Sequence, residues 1–220
     1  MLSKKLQEMK YSSQGARMGR STTSKPVAAS RSKLDHDEPD ISSFLSHAKH
    51  GEDSRIVVLY GGVSEQSISA VIYQLLYLAN QNHKPIHLVV STYGGSVDEM
   101  FSLYDTIKFL PCPVHTIALG KVMSAGVLLL ASGVKGKRLI GSSARLMLHP
   151  ISGGFYGNVF ESMSETEEFK RLQALMVSSL KNETGMSTEQ IEKIMKAGHD
   201  YYVNPQEALK LGIVDKIIGS

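Results

Sequence analysis

The chain has 220 residues, 42% of them apolar, which allows one large domain or two small ones with a substantial buried core. A single cysteine, Cys112, excludes an internal disulfide; no CxxC or HExxH spacing supports a metal site, and no apolar run approaches the roughly 20 residues that cross a bilayer. The net charge of +3 conceals an asymmetry: residues 1–34 carry eight Lys or Arg against Glu8 alone, net +7, which leaves −4 for the remainder.

That basic stretch is rich in Ser, Thr and Gly and lacks interleaved aromatics, so residues 1–54 read as a solvated, flexible extension rather than a nucleic-acid surface. Being Ser-rich and acid-poor, it also looks a little like an organelle transit segment, although no secretory h-region opens the chain. A short helical turn is expected near Ile41–Leu45, and folding proper at Arg55. Arg55 to Tyr60 is an apolar run closed by Gly61-Gly62, as in a buried strand. A helix over Ser67–Leu78, preceded by Ser64, a strand over Ile86–Ser91, a helix over Val97–Leu110 and a strand over Val114–Leu119 follow. Ser124–Ala131 reads as a third helix. This rhythm predicts an α/β domain spanning 55–220, with a parallel sheet covered on its faces.

The alternation then breaks. Lys137–Ile140 and Ala144–Leu148 are short strands, and Gly153–Gly157 is too glycine-rich for a central strand. Val159–Thr184 is a long charged amphipathic helix, expected to project as an arm (about 153–184) rather than join the core. A helix over Thr188–Lys196, a helix opened by Asn204-Pro205, and a last strand over Ile213–Ile217 complete the reading.

Ser124 stands among small residues where strand gives way to helix. A first helical turn offers unpaired N–H groups to an oxyanion, although serine is equally a favoured helix cap. Of eight histidines, His36, His47 and His50 lie in or near the polar tail, and His83 in a loop. His87 and His115 lie near strand beginnings, whereas sites in open α/β sheets gather at carboxyl ends. His149 closes the run Arg145–Leu148 at such an end. Among acids, Asp98 and Asp105 have solvated-face spacing, and Asp215 sits in the last strand with a lysine beside it. Asp200 precedes Tyr201-Tyr202-Val203, which could bury it beside an imidazole; a turn-capping aspartate is the plainer alternative. Gly94-Gly95 could bring backbone N–H groups to an anion, but the stretch is neither GxGxxG nor a P-loop.

As a set these residues resemble the ClpP family of serine endopeptidases, over roughly Arg55 to Ile218. Ser91-Thr92-Tyr93-Gly94-Gly95-Ser96-Val97, Gly120–Gly126, Lys135–Arg138, Met147-Leu148-His149, Asn204–Ala208 and Gly212–Asp215 carry it, in family order. The resemblance implies a ClpP/crotonase-like spiral of β-β-α units with a projecting handle of a strand, Gly153–Gly157, and the long helix. It implies Ser124 as nucleophile, His149 as general base, Asp200 as orienting acid, and the backbone N–H groups of Gly95 and Ala125 as oxyanion hole. It further implies two stacked rings, heptameric in the family, enclosing the sites, and an AAA+ Clp-type unfoldase that would itself use ATP, this chain needing no cofactor or metal. Polypeptides are the implied substrates, with neither nucleic acid nor membrane as partner, in the cytoplasm, an organelle or a viral capsid. Tyr93 replaces the family's proline, Ala125 a bulkier residue, and Pro150 its glutamine; residues 185–200 are slightly longer than usual. A crotonase-like acyl-CoA enzyme and an inactive ring subunit are the alternatives.

Overall fold

The computed structural model describes residues 54–154 and 156–219. The basic extension, the turn expected at Ile41–Leu45, and His36, His47 and His50 lie outside the described residues.

Among the described residues, seven strands and six helices follow in the order β1 (Ile56–Val63), α1 (Glu65–Gln81), β2 (Ile86–Gly95), α2 (Val97–Phe109), β3 (Val114–Met123), α3 (Ala125–Ala131), β4 (Arg138–Gly141), β5 (Arg145–Leu148), α4 (Val159–Glu183), α5 (Thr188–Lys196), β6 (Tyr201–Val203), α6 (Pro205–Lys210) and β7 (Lys216–Ile218). The sheet runs β1-β2-β3-β4-β7, with β5 joining β3 and β6 joining β5. Every pairing is parallel except β5 with β6. The α/β class with a parallel sheet is therefore as expected.

Strands β1 to β3 run further than their apolar cores predict, β1 through Gly61-Gly62 and β2 through Gly94-Gly95. Glycine inside a strand marks a bulge or a close backbone approach rather than its end, and the β1–β2 register does shift at Gly61/Gly62. Likewise β3 continues past Leu119 to Met123. It takes up extra residues opposite Val90–Thr92 where Gly120 adopts φ +69°. Before this bulge β3 pairs with β4, and after it with β5. One strand thus serves two neighbours in turn, and its second half points Ser124 towards the strand that carries His149.

The covering of the sheet is complete on one face, where Val57, Leu59, Leu88 and Val90 meet Ile68, Leu75, Met100 and Leu103. On the other face Val58, Tyr60, Tyr93 and Leu119 remain exposed, so the expectation of two covered faces does not hold there. Helix α3 is buried along all seven of its residues. Gly126 allows this burial, since a Cβ there would lie 2.4 Å from Thr92 Cγ2.

Helix α4 divides in two. Its inner end buries Met176, Ser179, Leu180 and Glu183. The Glu183 carboxylate accepts the Tyr104 hydroxyl at 2.7 Å and pairs with Lys108 at 2.8 Å. Its outer end exposes Val159, Phe160 and Met163, as a projecting arm should. The strand expected beside it at Gly153–Gly157 does not form among the described residues. Three glycines offer no side chains to pack, and a strand needs a neighbour to accept its hydrogen bonds. The last strand begins at Lys216 rather than Ile213; Ile213 and Val214 are instead buried in the turn before it.

Candidate active site

The sheet register brings Ser124 and His149 together. Met123 pairs with Met147 across β3 and β5, and the Ser124 N–H donates to the Met147 carbonyl at 2.7 Å. His149 follows Met147 by two residues, one beyond the end of β5. Its Nε2 lies 2.7 Å from Ser124 Oγ. With the imidazole proton on Nδ1, Nε2 accepts the serine hydroxyl, the arrangement a general base requires. Both side chains are half-buried, so the pair is held by the fold yet open to a ligand.

Ser124 is the only residue other than glycine at positive φ among the described residues, at φ 54° and ψ −123°. Such a conformation costs about 1–3 kcal/mol and persists only where the surroundings impose it. Although Ser124 occupies the cap position of α3, its side chain makes no capping hydrogen bond. The capping role open in the sequence is thus not taken; the hydroxyl is committed to His149. Its strained turn exposes the oxygen as sharp strand-to-helix turns do in hydrolytic folds.

The glycine pair packs against this turn. A Cβ on Gly94 would lie 2.6 Å from Ser124 Cβ, 2.8 Å from the Met123 carbonyl and 3.1 Å from the Ala125 nitrogen. Gly94 is at φ 89°, and Thr92 Oγ1 accepts its N–H at 2.9 Å. Gly95, at φ 150°, is exposed and sits against Val63. Ala125 holds the first helical position, whose N–H has no acceptor within the helix. The sequence marked the Gly94-Gly95 pair for a close backbone approach, and of the two it is Gly94 that lies against Ser124.

Asp200 is placed beside the pair but not joined to it. The antiparallel ladder ends with Leu148 paired to Tyr201, and His149 and Asp200 are the residues that follow and precede that last pair. The side chain is nevertheless exposed, and it accepts only the Tyr202 hydroxyl, at 3.4 Å. The flanking aromatics do not bury it, because Tyr202 is itself exposed.

The competing groups lie elsewhere. His87 and His115 pack edge to face, with ring centroids 5.1 Å apart, near the opposite ends of β2 and β3. Burial, then the charge of Lys137, lowers the His115 pKa. Asp98 and Asp105 are exposed on α2. Asp215 precedes β7 and pairs with Arg138, not a lysine. Burial is the largest single influence on its carboxyl and raises its pKa, but the hydrogen bonds and charge of Arg138, with the Gly136 N–H, together outweigh it and hold the carboxyl below the usual range. No group of three metal-ligating side chains assembles, and no helix is long and apolar enough to cross a membrane, among the described residues.

A serine–imidazole pair at the carboxyl end of a parallel sheet, beside a glycine-bearing strand, is an arrangement in which an adjacent base can activate a hydroxyl. The Clp protease family model matches residues 44–220, which takes in the whole described domain and most of the chain. The chain belongs to the Clp protease family, a family of peptidases.

Proposed function

We propose that this chain is a serine endopeptidase, with Ser124 as nucleophile, His149 as general base and Asp200 as orienting acid. The observation that carries the reading is the 2.7 Å contact between Ser124 Oγ and His149 Nε2. Ser124 Oγ attacks a peptide carbonyl carbon while its proton passes to Nε2. The carbonyl electrons move onto oxygen, and the N–H groups of Gly95 and Ala125 receive the oxyanion. The C–N bond then breaks as the imidazolium gives its proton to the leaving amine, which leaves an acyl-enzyme. Water, deprotonated by His149, repeats the attack and releases Ser124.

Asp200 completes the relay by rotating from Tyr202 towards Nδ1, a movement its exposure permits. A carboxylate there fixes the imidazole tautomer and stabilises the imidazolium. Copies of the chain form a closed chamber of two stacked rings, with seven subunits in each as the family resemblance implies. The exposed Val159, Phe160 and Met163 at the outer end of α4 suit contacts between copies. A Clp-type unfoldase, not this chain, would consume ATP while feeding polypeptide into the chamber.

The test is fluorophosphonate labelling and hydrolysis of a fluorogenic peptide by purified protein, with the assembly state measured alongside. Labelling and hydrolysis should both vanish in Ser124→Ala. Hydrolysis that survives the substitution would remove Ser124 from the mechanism. A ring-forming wild type that neither labels nor hydrolyses would favour the inactive-subunit reading, and thioester turnover the acyl-CoA one.

A further inference from the structure

The open face of the sheet carries a cluster of charge and aromatic side chains that the fold does not use. Lys121 Nζ lies 4.3 Å from the Tyr93 ring centroid and 5.1 Å from that of Tyr60. Both tyrosines are largely exposed, at 66% and 73%. Across the ladder Lys121 pairs with Arg145, also exposed. Neighbours in a parallel pair project to the same side of the sheet. Neither cation has a carboxylate partner among the described residues, whereas Lys108, Arg138, Lys170, Arg171 and Lys196 each have one. Two unpaired cations side by side repel one another mildly. Exposed cation–π contacts, worth about 0.5–1 kcal/mol, do not neutralise them.

Position says what would neutralise them. Arg145 precedes His149 by four residues, and strand alternation puts Arg145, Met147 and His149 on one face. Four residues of extended chain span about 13 Å. A polypeptide lying extended along β5 from the Ser124–His149 site would pass over this cluster about four residues from the scissile bond. Tyr93 directly precedes Gly94, whose α-carbon abuts Ser124, so the cluster and the nucleophile share one wall.

We propose that Lys121 and Arg145, framed by Tyr60 and Tyr93, form a subsite that holds an acidic side chain of the polypeptide being cleaved. The carboxylate lies between the ammonium and the guanidinium, with the tyrosine rings flanking its methylenes. The inference rests on the peptidase reading and adds a substrate class to it.

The test scans Asp against Asn through a peptide, from four residues before the cleaved bond to four after it. Binding to the full-length Ser124→Ala protein is read by fluorescence anisotropy, and kcat/KM is read on the wild type. At one position Asp should bind about fivefold tighter than Asn at low salt, the strength of a partly exposed ion pair. The preference should disappear near 1 M salt, where screening acts over about 3 Å. It should fall to about one in a Lys121→Gln/Arg145→Gln double variant and persist in Lys84→Gln, a change at an exposed lysine outside the cluster. If no position distinguishes Asp from Asn, or if the double variant keeps the preference, the subsite does not exist. Binding of acidic proteins without any preference among peptides would overturn it in favour of a docking patch. Fluorophosphonate labelling of the wild type reports on the peptidase reading separately, so failure of one is distinguishable from failure of the other.

Discussion

Two carboxylates near the carboxyl-terminal end of the chain are treated in opposite ways. Asp215 accepts Arg138 Nε at 2.9 Å and NH2 at 2.5 Å, together with the Gly136 N–H at 2.7 Å and the Arg138 N–H at 3.0 Å. The same guanidinium donates to the Glu183 carbonyl, tying β4, β7 and the root of α4 together. Asp200 is exposed and has a single long contact with Tyr202. The difference separates stability from chemistry. The Asp215 carboxylate is ligated on every side by the elements it joins, whereas the exposed Asp200 side chain is left free to turn.

The comparison can be broken in four ways. Asp200→Ala should lower kcat/KM by about 10²–10⁴-fold, as loss of the orienting acid does in a serine relay. Its thermal midpoint should stay near that of the wild type, because an exposed, unligated side chain contributes little to stability. Full activity in that variant would remove Asp200 from the relay. Next in size, Arg138→Ala should destabilise the fold by about 1.5–3 kcal/mol in denaturant titration, since it removes a buried guanidinium and strands the half-buried Asp215 carboxylate that it ligates. A loss below 1 kcal/mol would show the clasp to be ornamental.

The third concerns acid. The pKa of Asp215 is lowered from its ordinary value of 3.8, so the unfolded chain takes up the proton first as pH falls. The contribution of the clasp is therefore complete above about pH 4 and is lost as the pH drops through the lower folded value. Asp215→Asn should flatten this acid limb of stability, and Asp200→Asn should leave it in place. The smallest effect tests the strained turn. Ser124→Gly should be about 1 kcal/mol more stable than Ser124→Ala, because glycine accepts φ 54° without penalty. Equal stabilities would mean that the turn stores no strain.

Much of this arrangement was legible before folding. The apolar runs at Ile56, Ile86 and Val114 required buried parallel strands, and Asn204-Pro205 required a helix start; both are observed. Ser124 and His149 were legible because each closes an apolar strand at the end where sites form. Less legible were features that depend on two segments at once. Gly120 lies just past the strand end expected at Leu119, yet in the sheet it is a bulge that passes β3 from β4 to β5. Asp215 reads as a neighbour of lysine, yet it meets Arg138 from 77 residues away. Lys121, Arg145, Tyr60 and Tyr93 are unremarkable as sequence and become a cluster only through register.

The sequence by itself determined which segments are apolar enough to be buried and with what period. It thereby set the α/β class, the order of elements and the residue types available for chemistry, because burial and backbone geometry act within a few residues. Only the tertiary structure decided that the Ser124 hydroxyl meets His149 instead of capping α3, that Gly94 is the glycine pressed against it, and that Asp200, just beyond the β5–β6 ladder, is exposed and turned to Tyr202. Those outcomes depend on ladder register, where a shift of one residue would turn every side chain to the other face.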